Sequence, residues 1–290
     1  MYSSSVQLSV VIITHNEEAN IGRTLASVAP LVRDGQGEII VVDSGSTDRT
    51  VEIARQHDAK VFVEPWKGFA AQKNSALEKA SGDWILSLDA DEEVEPVLLA
   101  EVATSLQGLS GHSEWCLTEK LLNPEQEQIR QNFSDLPSAY YCRRKNYFLG
   151  RWIKHGGFWP DPKLRLFRRG TAQFENRAVH EDVQTSSRTG KIRQGALIHH
   201  SYPTLSDYIE HMNRYSSLGA EMAGPLTFSL VNIVLRPLAT FIYNYFFRLG
   251  FLDGRQGLLL HLYHAVYVSW KYAKAWELRK SSQESGARSR

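Results

Sequence analysis

The chain has 290 residues, 42% hydrophobic and 22% charged, enough apolar content for a sizeable core and an exclusion of global disorder. Its formal net charge of +1 hides an asymmetry: residues 1–138 carry 10 Lys/Arg against 22 Asp/Glu, and residues 139–290 carry 23 against 10. The basic half suits an anionic ligand, a nucleic acid or a membrane, while two cysteines, Cys116 and Cys142, exclude a disulfide framework and a four-cysteine zinc site.

The N-terminus has no basic n-region, and the apolar run Leu8 to Ile13 is too short for a signal-peptide core, so a cytoplasmic location is expected. Three more β-branched or aromatic runs follow, at Glu38 to Val42, Lys60 to Val63 and Trp84 to Leu88. Short continuous runs of this kind suit strands buried on both faces, as in a parallel sheet. Helices are predicted between them at Glu17 to Val28, Thr47 to His57 and Phe69 to Ala80. Strand starts 30, 22 and 24 residues apart leave room for right-handed crossovers, which makes this half an α/β sheet.

Residues 107–138 hold Gly, Ser, Asn, Pro and scattered acids, and read as a surface loop with a short helix. Residues 139–200 mix aromatics, arginines and glycines in strand-like pieces such as Lys163 to Phe167 and Ala196 to His200. From Leu205 the pattern is helical, with apolar blocks at Leu226 to Leu235, Pro237 to Phe247 and Leu258 to Trp270. A spanning helix needs about 18 or more apolar residues. Here Arg236-Pro237 divides the first two blocks and Arg248, Asp253 and Arg255 the last two, so no conventional transmembrane helix is expected. Amphipathic helices in a membrane interface fit, with Tyr243, Tyr245, Tyr263, Tyr267 and Trp270 as interfacial rings and Lys271, Lys274, Arg279 and Lys280 for anionic headgroups. A helical bundle on the domain, or a homo-oligomer contact through these helices, is the alternative.

Ligands of open α/β sheets bind beyond the carboxyl ends of the strands. There lie Thr14-His15-Asn16-Glu17-Glu18, Asp43-Ser44-Gly45-Ser46-Thr47-Asp48 and Asp89-Ala90-Asp91-Glu92-Glu93. The first turn lacks the glycines of a dinucleotide fingerprint, and no Walker-type Gly-Lys-Ser/Thr occurs. Asp89 and Asp91 can present two carboxylates to one hard cation; the competing reading is a solvated acidic turn opening a helix.

Taken together, Ser9 to Glu18, Val41 to Asp48, Lys73-Asn74-Ser75-Ala76 and Gly82 to Asp91 resemble the family-2 glycosyltransferases of the GT-A fold. His155-Gly156-Gly157-Phe158-Trp159-Pro160-Asp161, Lys163 to Arg169, Val179-His180-Glu181 and Gly250-Phe251-Leu252-Asp253-Gly254 resemble the bacterial subgroup containing lipopolysaccharide-core β-1,4-glucosyltransferases. The resemblance implies a Rossmann-like, mostly parallel GT-A sheet domain, taken over 1–204, and the composition of residues 205–290 reads as a helical, membrane-associating extension. The domain would comprise a nucleotide-binding half (1–106), a variable loop (107–138) and an acceptor half (139–204).

It also implies a UDP-sugar donor and transfer with inversion. Thr14, Asn16 and Glu18 would line the nucleotide pocket, Asp43 would contact uracil or ribose, and Lys73 would approach the diphosphate. Asp91 would ligate Mg²⁺ or Mn²⁺, with Asp89 near the ribose or the metal. The base that takes the acceptor's proton is placed at Glu181, with Asp182 as runner-up.

Trp152, His155, Trp159 and Arg165 are the expected acceptor residues, since aromatic faces stack on sugars and arginine forks match phosphate. The basic run Arg143-Arg144-Lys145, with Lys163, Arg168 and Arg169, reads equally as a phosphate contact or a solvated face. The pair His199-His200 reads as a source of a metal ligand or as a buried strand end. A glycan or glycolipid acceptor at the inner face of the cytoplasmic membrane is expected, and no nucleic acid, because no recognised nucleic-acid motif accompanies the arginines. A non-catalytic nucleotide-sugar binder, or a transferase acting on another lipid-linked or protein acceptor, is the alternative.

Overall fold

The computed structural model describes residues 7–33, 37–110, 137–175, 183–222 and 228–288. Most of the expected 107–138 loop and both candidate bases, Glu181 and Asp182, lie outside them; residues 107–110 end a helix. Two compact units emerge, one within 1–144, 162–177 and 181–199, the other within 145–161 and 200–290.

The first unit is built on β1 (Leu8–Thr14), β2 (Gly37–Asp43), β3 (Lys60–Val63) and β4 (Trp84–Asp89), parallel and ordered 3-2-1-4. The sheet continues antiparallel through β9 (Lys163–Arg168) and β6 (Ala139–Cys142), and ends at β12 (Thr189–Lys191). Val10, Ile12, Val41, Leu86 and Leu88 are buried on one face, and Val11, Ile40, Val42 and Ile85 on the other. β3 departs from two-faced burial because it is the edge strand, and its Val63 is exposed.

Helix α1 (Ile21–Val32) lays Ile21, Leu25 and Val28 against the sheet at i, i+4 and i+7. Each such burial contributes about 1.5–3 kcal/mol relative to exposure. The helix starts four residues later than Glu17, and the backbone N–H groups of Glu17 and Glu18 donate to the side chains of Thr50 and Asp48. Helices α2 (Thr50–Gln56), α3 (Phe69–Glu78) and α4 (Pro96–Ser110) complete the crossovers. After β4 comes the short β5 (Glu92–Val94), antiparallel to the start of β13 (Leu197–Tyr202) with His199 opposite Glu92.

In the second unit, β7 (Arg144–Phe148) turns back into β8 (Arg151–Trp152). Phe148 and Ile153 pack with Tyr208 of α5 (Leu205–Met222) and Leu260 of α7 (Gly254–Arg288). Between α5 and α7 the chain is helical from Leu230 to Phe247, with π-helical turns at Val231–Leu235 and Tyr243–Phe247 flanking α6 (Arg236–Ile242).

Arg236-Pro237 therefore does not break the helix, contrary to expectation. The wide turn carries the Arg236 N–H to the Val231 carbonyl, and the Ile233 carbonyl that Pro237 cannot serve accepts from Ser269 Oγ at 3.0 Å. Two interfacial expectations also change. Tyr263 packs on the unit's core, and Lys274 Nζ turns inward onto Asn213, Ser216 and Ser217. Among the described residues no helix is long and apolar enough to cross a membrane.

Candidate active site

Register aligns the carboxyl ends of three strands: Thr14 lies opposite Asp43, and Ile13 opposite Asp89. The loops after β1 and β2 are laced together. The Asn16 N–H donates to Ser46 Oγ at 2.8 Å, and Asn16 Oδ1 accepts the Thr47 N–H at 2.8 Å. Glu18 accepts the Arg49 N–H at 3.0 Å and donates its own N–H to Asp48. Both oxygens of the fully buried Asp43 take the Ser46 N–H, at 2.8 and 2.9 Å. Asn16 sits at φ +54°, the left-handed region that asparagine tolerates best after glycine. Two buried hydroxyls at this rim, Thr14 Oγ1 and Ser44 Oγ, have no hydrogen-bond partner.

The turn after β4 is an electrostatic knot. Asp89 Oδ1 accepts Lys73 Nζ at 2.9 Å, and Oδ2 accepts Arg165 Nη2. The same guanidinium reaches the fully buried Glu92 at 2.7 Å, which Arg144 approaches at 3.3 Å. Burial pushes the Asp89 carboxyl up, but Arg165 and Lys73 outweigh it and hold the group well below the usual range. Asp91 meets His199 Nε2 at 3.2 Å; burial raises its pKa, the imidazole lowers it more, and the net shift is down.

Lys73 is itself buried, 5.2 Å from the centroid of Phe174. Asn74 grips the Phe174 backbone through both amide atoms at 2.9 Å. Phe174 in β10 (Ala172–Phe174) pairs with Val183 in β11 (Val183–Thr185), so the chain on either side of the segment carrying Glu181 and Asp182 is anchored to α3.

The expected acceptor residues separate. Arg165 is buried and its Nη2 bonds Asp89 and Glu92, so it supports the acidic turn. Trp152 and Trp159 lie edge to face at 5.2 Å in the second unit, with Lys145 and Lys154 over the Trp152 ring at 4.7 and 4.5 Å. His155 donates its backbone N–H to Asp253 at 2.8 Å and brings Nδ1 to the same buried carboxylate at 3.0 Å. Gly156, at φ +68°, leaves no room for a side chain: a Cβ there would lie 2.0 Å from the ring of His261. That buried ring has no hydrogen-bond partner, and burial, then His264, lowers its pKa to about 4.

Among the basic run, Arg143 bonds the carbonyls of Arg193 and Gly195, and Arg169 that of Gly82. Glu92 as the partner of Arg165, and Asp253 as the partner of His155, were legible only as members of motifs; their bonds span 73 and 98 positions in the chain.

Residues 9–172, more than half the chain, match the glycosyl transferase family 2 profile. The chain belongs to that family. It is 28% identical over 279 residues to the lipopolysaccharide core biosynthesis glycosyltransferase LpsC of Rhizobium meliloti, covering 93% of this chain and 92% of that one. It is 30% identical over 291 residues to the glycosyltransferase RT0209 of Rickettsia typhi, covering 96% and 89%. Among solved structures, the mannosyltransferase PcManGT of Pyrobaculum calidifontis, in complex with GDP-Man and Mn²⁺, is 16% identical at a TM-score of 0.48 and covers 95% of this chain and 75% of that one. TarS 1–349 of S. aureus, in complex with UDP, is 17% identical at a TM-score of 0.42, covering 95% and 92%. The glycosyltransferase thus presents a laced acidic rim on a mainly parallel α/β sheet, the architecture that its sequence motifs imply.

Proposed function

We propose that this glycosyltransferase moves a hexose, glucose by the resemblance of its second half, from a UDP-sugar to a hydroxyl of a lipopolysaccharide-core or other cell-envelope glycan, with inversion. The observation that carries the reading is the end of β4, where Asp89 is clamped between Lys73 and Arg165 next to the Asp91–His199 pair. The name of the Rhizobium meliloti relative supports the acceptor class.

Asp91 and His199 fit a Mg²⁺ or Mn²⁺ ion. They would offer it one hard oxygen and one imidazole nitrogen, and phosphate oxygens and water complete the shell of such an ion. Such an ion neutralises charge on a departing diphosphate. Lys73 and Arg165 keep Asp89 ionised, so it offers a carboxylate to the ribose or the metal. Thr14, Asn16, Glu18 and Asp43 line the nucleoside side, where the unpartnered hydroxyls of Thr14 and Ser44 have hydrogen bonds to give. Glu181 takes the acceptor proton as the acceptor oxygen bonds to the anomeric carbon and the bond to UDP breaks; Asp182 is the alternative base. In this reading residues 1–204 hold the chemistry, with Trp152, His155 and Trp159 toward the acceptor. Residues 205–290 keep the protein on the inner face of the cytoplasmic membrane.

A panel of nucleotide sugars, assayed for UDP release with a core-oligosaccharide acceptor and Mn²⁺, tests the reading. Glu181→Gln should keep UDP binding and lose transfer by about 10²–10⁴-fold. Transfer at the wild-type rate moves the base to Asp182 or elsewhere, and a chain that binds no UDP-sugar ends the donor assignment.

A further inference from the structure

The second unit carries an apolar surface that its own helices leave uncovered. Leu230 is 70% exposed and Phe247 75%, with Val234, Leu238, Phe246 and Leu249 exposed along the same stretch. Exposed large apolar side chains gathered in one stretch of helix in this way mark an interaction site. From Phe228 to Leu252 the sequence holds two arginines, Arg236 and Arg248, and no Asp or Glu. A second copy packed two-fold on this surface would add two more arginines and no acid from the stretch to pair with them. A lipid bilayer with anionic headgroups supplies both the apolar phase and the countercharge.

The end of this surface is fastened to the loop with the aromatic pair. The Gly156 N–H donates to the Arg248 carbonyl at 2.9 Å, Arg151 Nη2 to the Leu252 carbonyl at 3.3 Å, and the N–H groups of Lys154 and His155 to Asp253 at 3.3 and 2.8 Å. Lys145 and Lys154, both over the Trp152 ring, add positive charge beside it.

We infer that residues 228–252 seat on an anionic lipid bilayer, and that the 151–157 loop fastened to their end meets the headgroups there. This deepens the proposed function and rests on its membrane placement; the donor chemistry does not depend on it. The loop then addresses acceptors held in the membrane surface.

The test is co-sedimentation of the full chain with phosphatidylglycerol or phosphatidylcholine vesicles, with UDP affinity measured on every variant as the check of fold. Binding to phosphatidylglycerol that weakens with salt, and much weaker binding to phosphatidylcholine, is expected. Leu230→Asp with Phe247→Asp should lower the partition by about tenfold or more, and Arg248→Gln by about fivefold on phosphatidylglycerol only. Val63→Asp, at an exposed apolar site in the first unit, should leave the partition unchanged. If the double variant loses UDP affinity, the two single variants decide. Wild-type partition in the aspartate variants overturns the inference, as does a chain that ignores vesicles and is a dimer that these substitutions dissociate. Vesicle binding without nucleotide-sugar binding strikes the donor reading and leaves this one standing.

Discussion

The two ends of one sheet treat buried polar groups in opposite ways. At the amino ends of β1, β2 and β4, Glu38 accepts from Ser9 Oγ at 2.6 Å, from the Ser81 N–H and Oγ at 2.7 and 2.8 Å, and from Lys60 Nζ at 2.7 Å. Burial raises its pKa, but these bonds bring it down to about 2. At the carboxyl ends of the same strands the Thr14 and Ser44 hydroxyls are buried and unpartnered. An unmet buried hydroxyl costs about 1–3 kcal/mol. The lower end is closed for stability, and the upper end holds unspent hydrogen-bonding capacity that a nucleotide would use.

The contrast breaks most readily at Arg165. Arg165→Ala leaves the buried Glu92 with Arg144 and the part-buried Asp89 with Lys73 as their remaining cations, and should cost about 3 kcal/mol in urea unfolding and weaken UDP binding with it. A loss below about 1 kcal/mol would show that the rim does not depend on this guanidinium. At the lower end, Glu38→Gln should cost about 2 kcal/mol and leave UDP affinity unchanged, so a coupled loss of affinity would erase the division of labour.

Acid tests the same groups. Glu38 and Asp89 have pKa values depressed by folding, so their stabilisation is complete above the ordinary carboxylate value and is lost as pH falls through the folded one. For Glu38 the window runs from 4.5 down to about 2. The Tm of the wild type should fall across it, and that of Glu38→Gln more shallowly. Thr14→Val removes an unmet buried hydroxyl and loses no hydrogen bond, so it should stabilise the protein, by up to about 1–3 kcal/mol, while UDP affinity drops several-fold. A large loss of stability there would mean that the hydroxyl has a structural partner after all.

Much of the first half was legible because its information is local. Alternating or continuous apolar runs mark β1, β2 and β4, and the acids that follow them fall on one rim once the strands are parallel. The runs failed where context overrode pattern. β3 is an edge strand, and the Arg236-Pro237 break is absent because a π-helical turn and Ser269 take over the hydrogen bonds that proline forfeits. Arg165 reads as a phosphate fork in sequence, and only its neighbours reveal it as a counterion to the acidic turn. Lys274 reads as a headgroup ligand and is consumed by α5.

The sequence by itself determined the family, the α/β order and the identity of the acidic rim, because short motifs and strand periodicity are encoded within a few residues. Only the tertiary structure decided which charges meet. It set His199 against Asp91, closed Arg165 over Asp89 and Glu92, bolted His155 to Asp253 and left the 228–252 surface bare. Those outcomes depend on which distant side chains share one low-dielectric space, and sequence separation carries no measure of that.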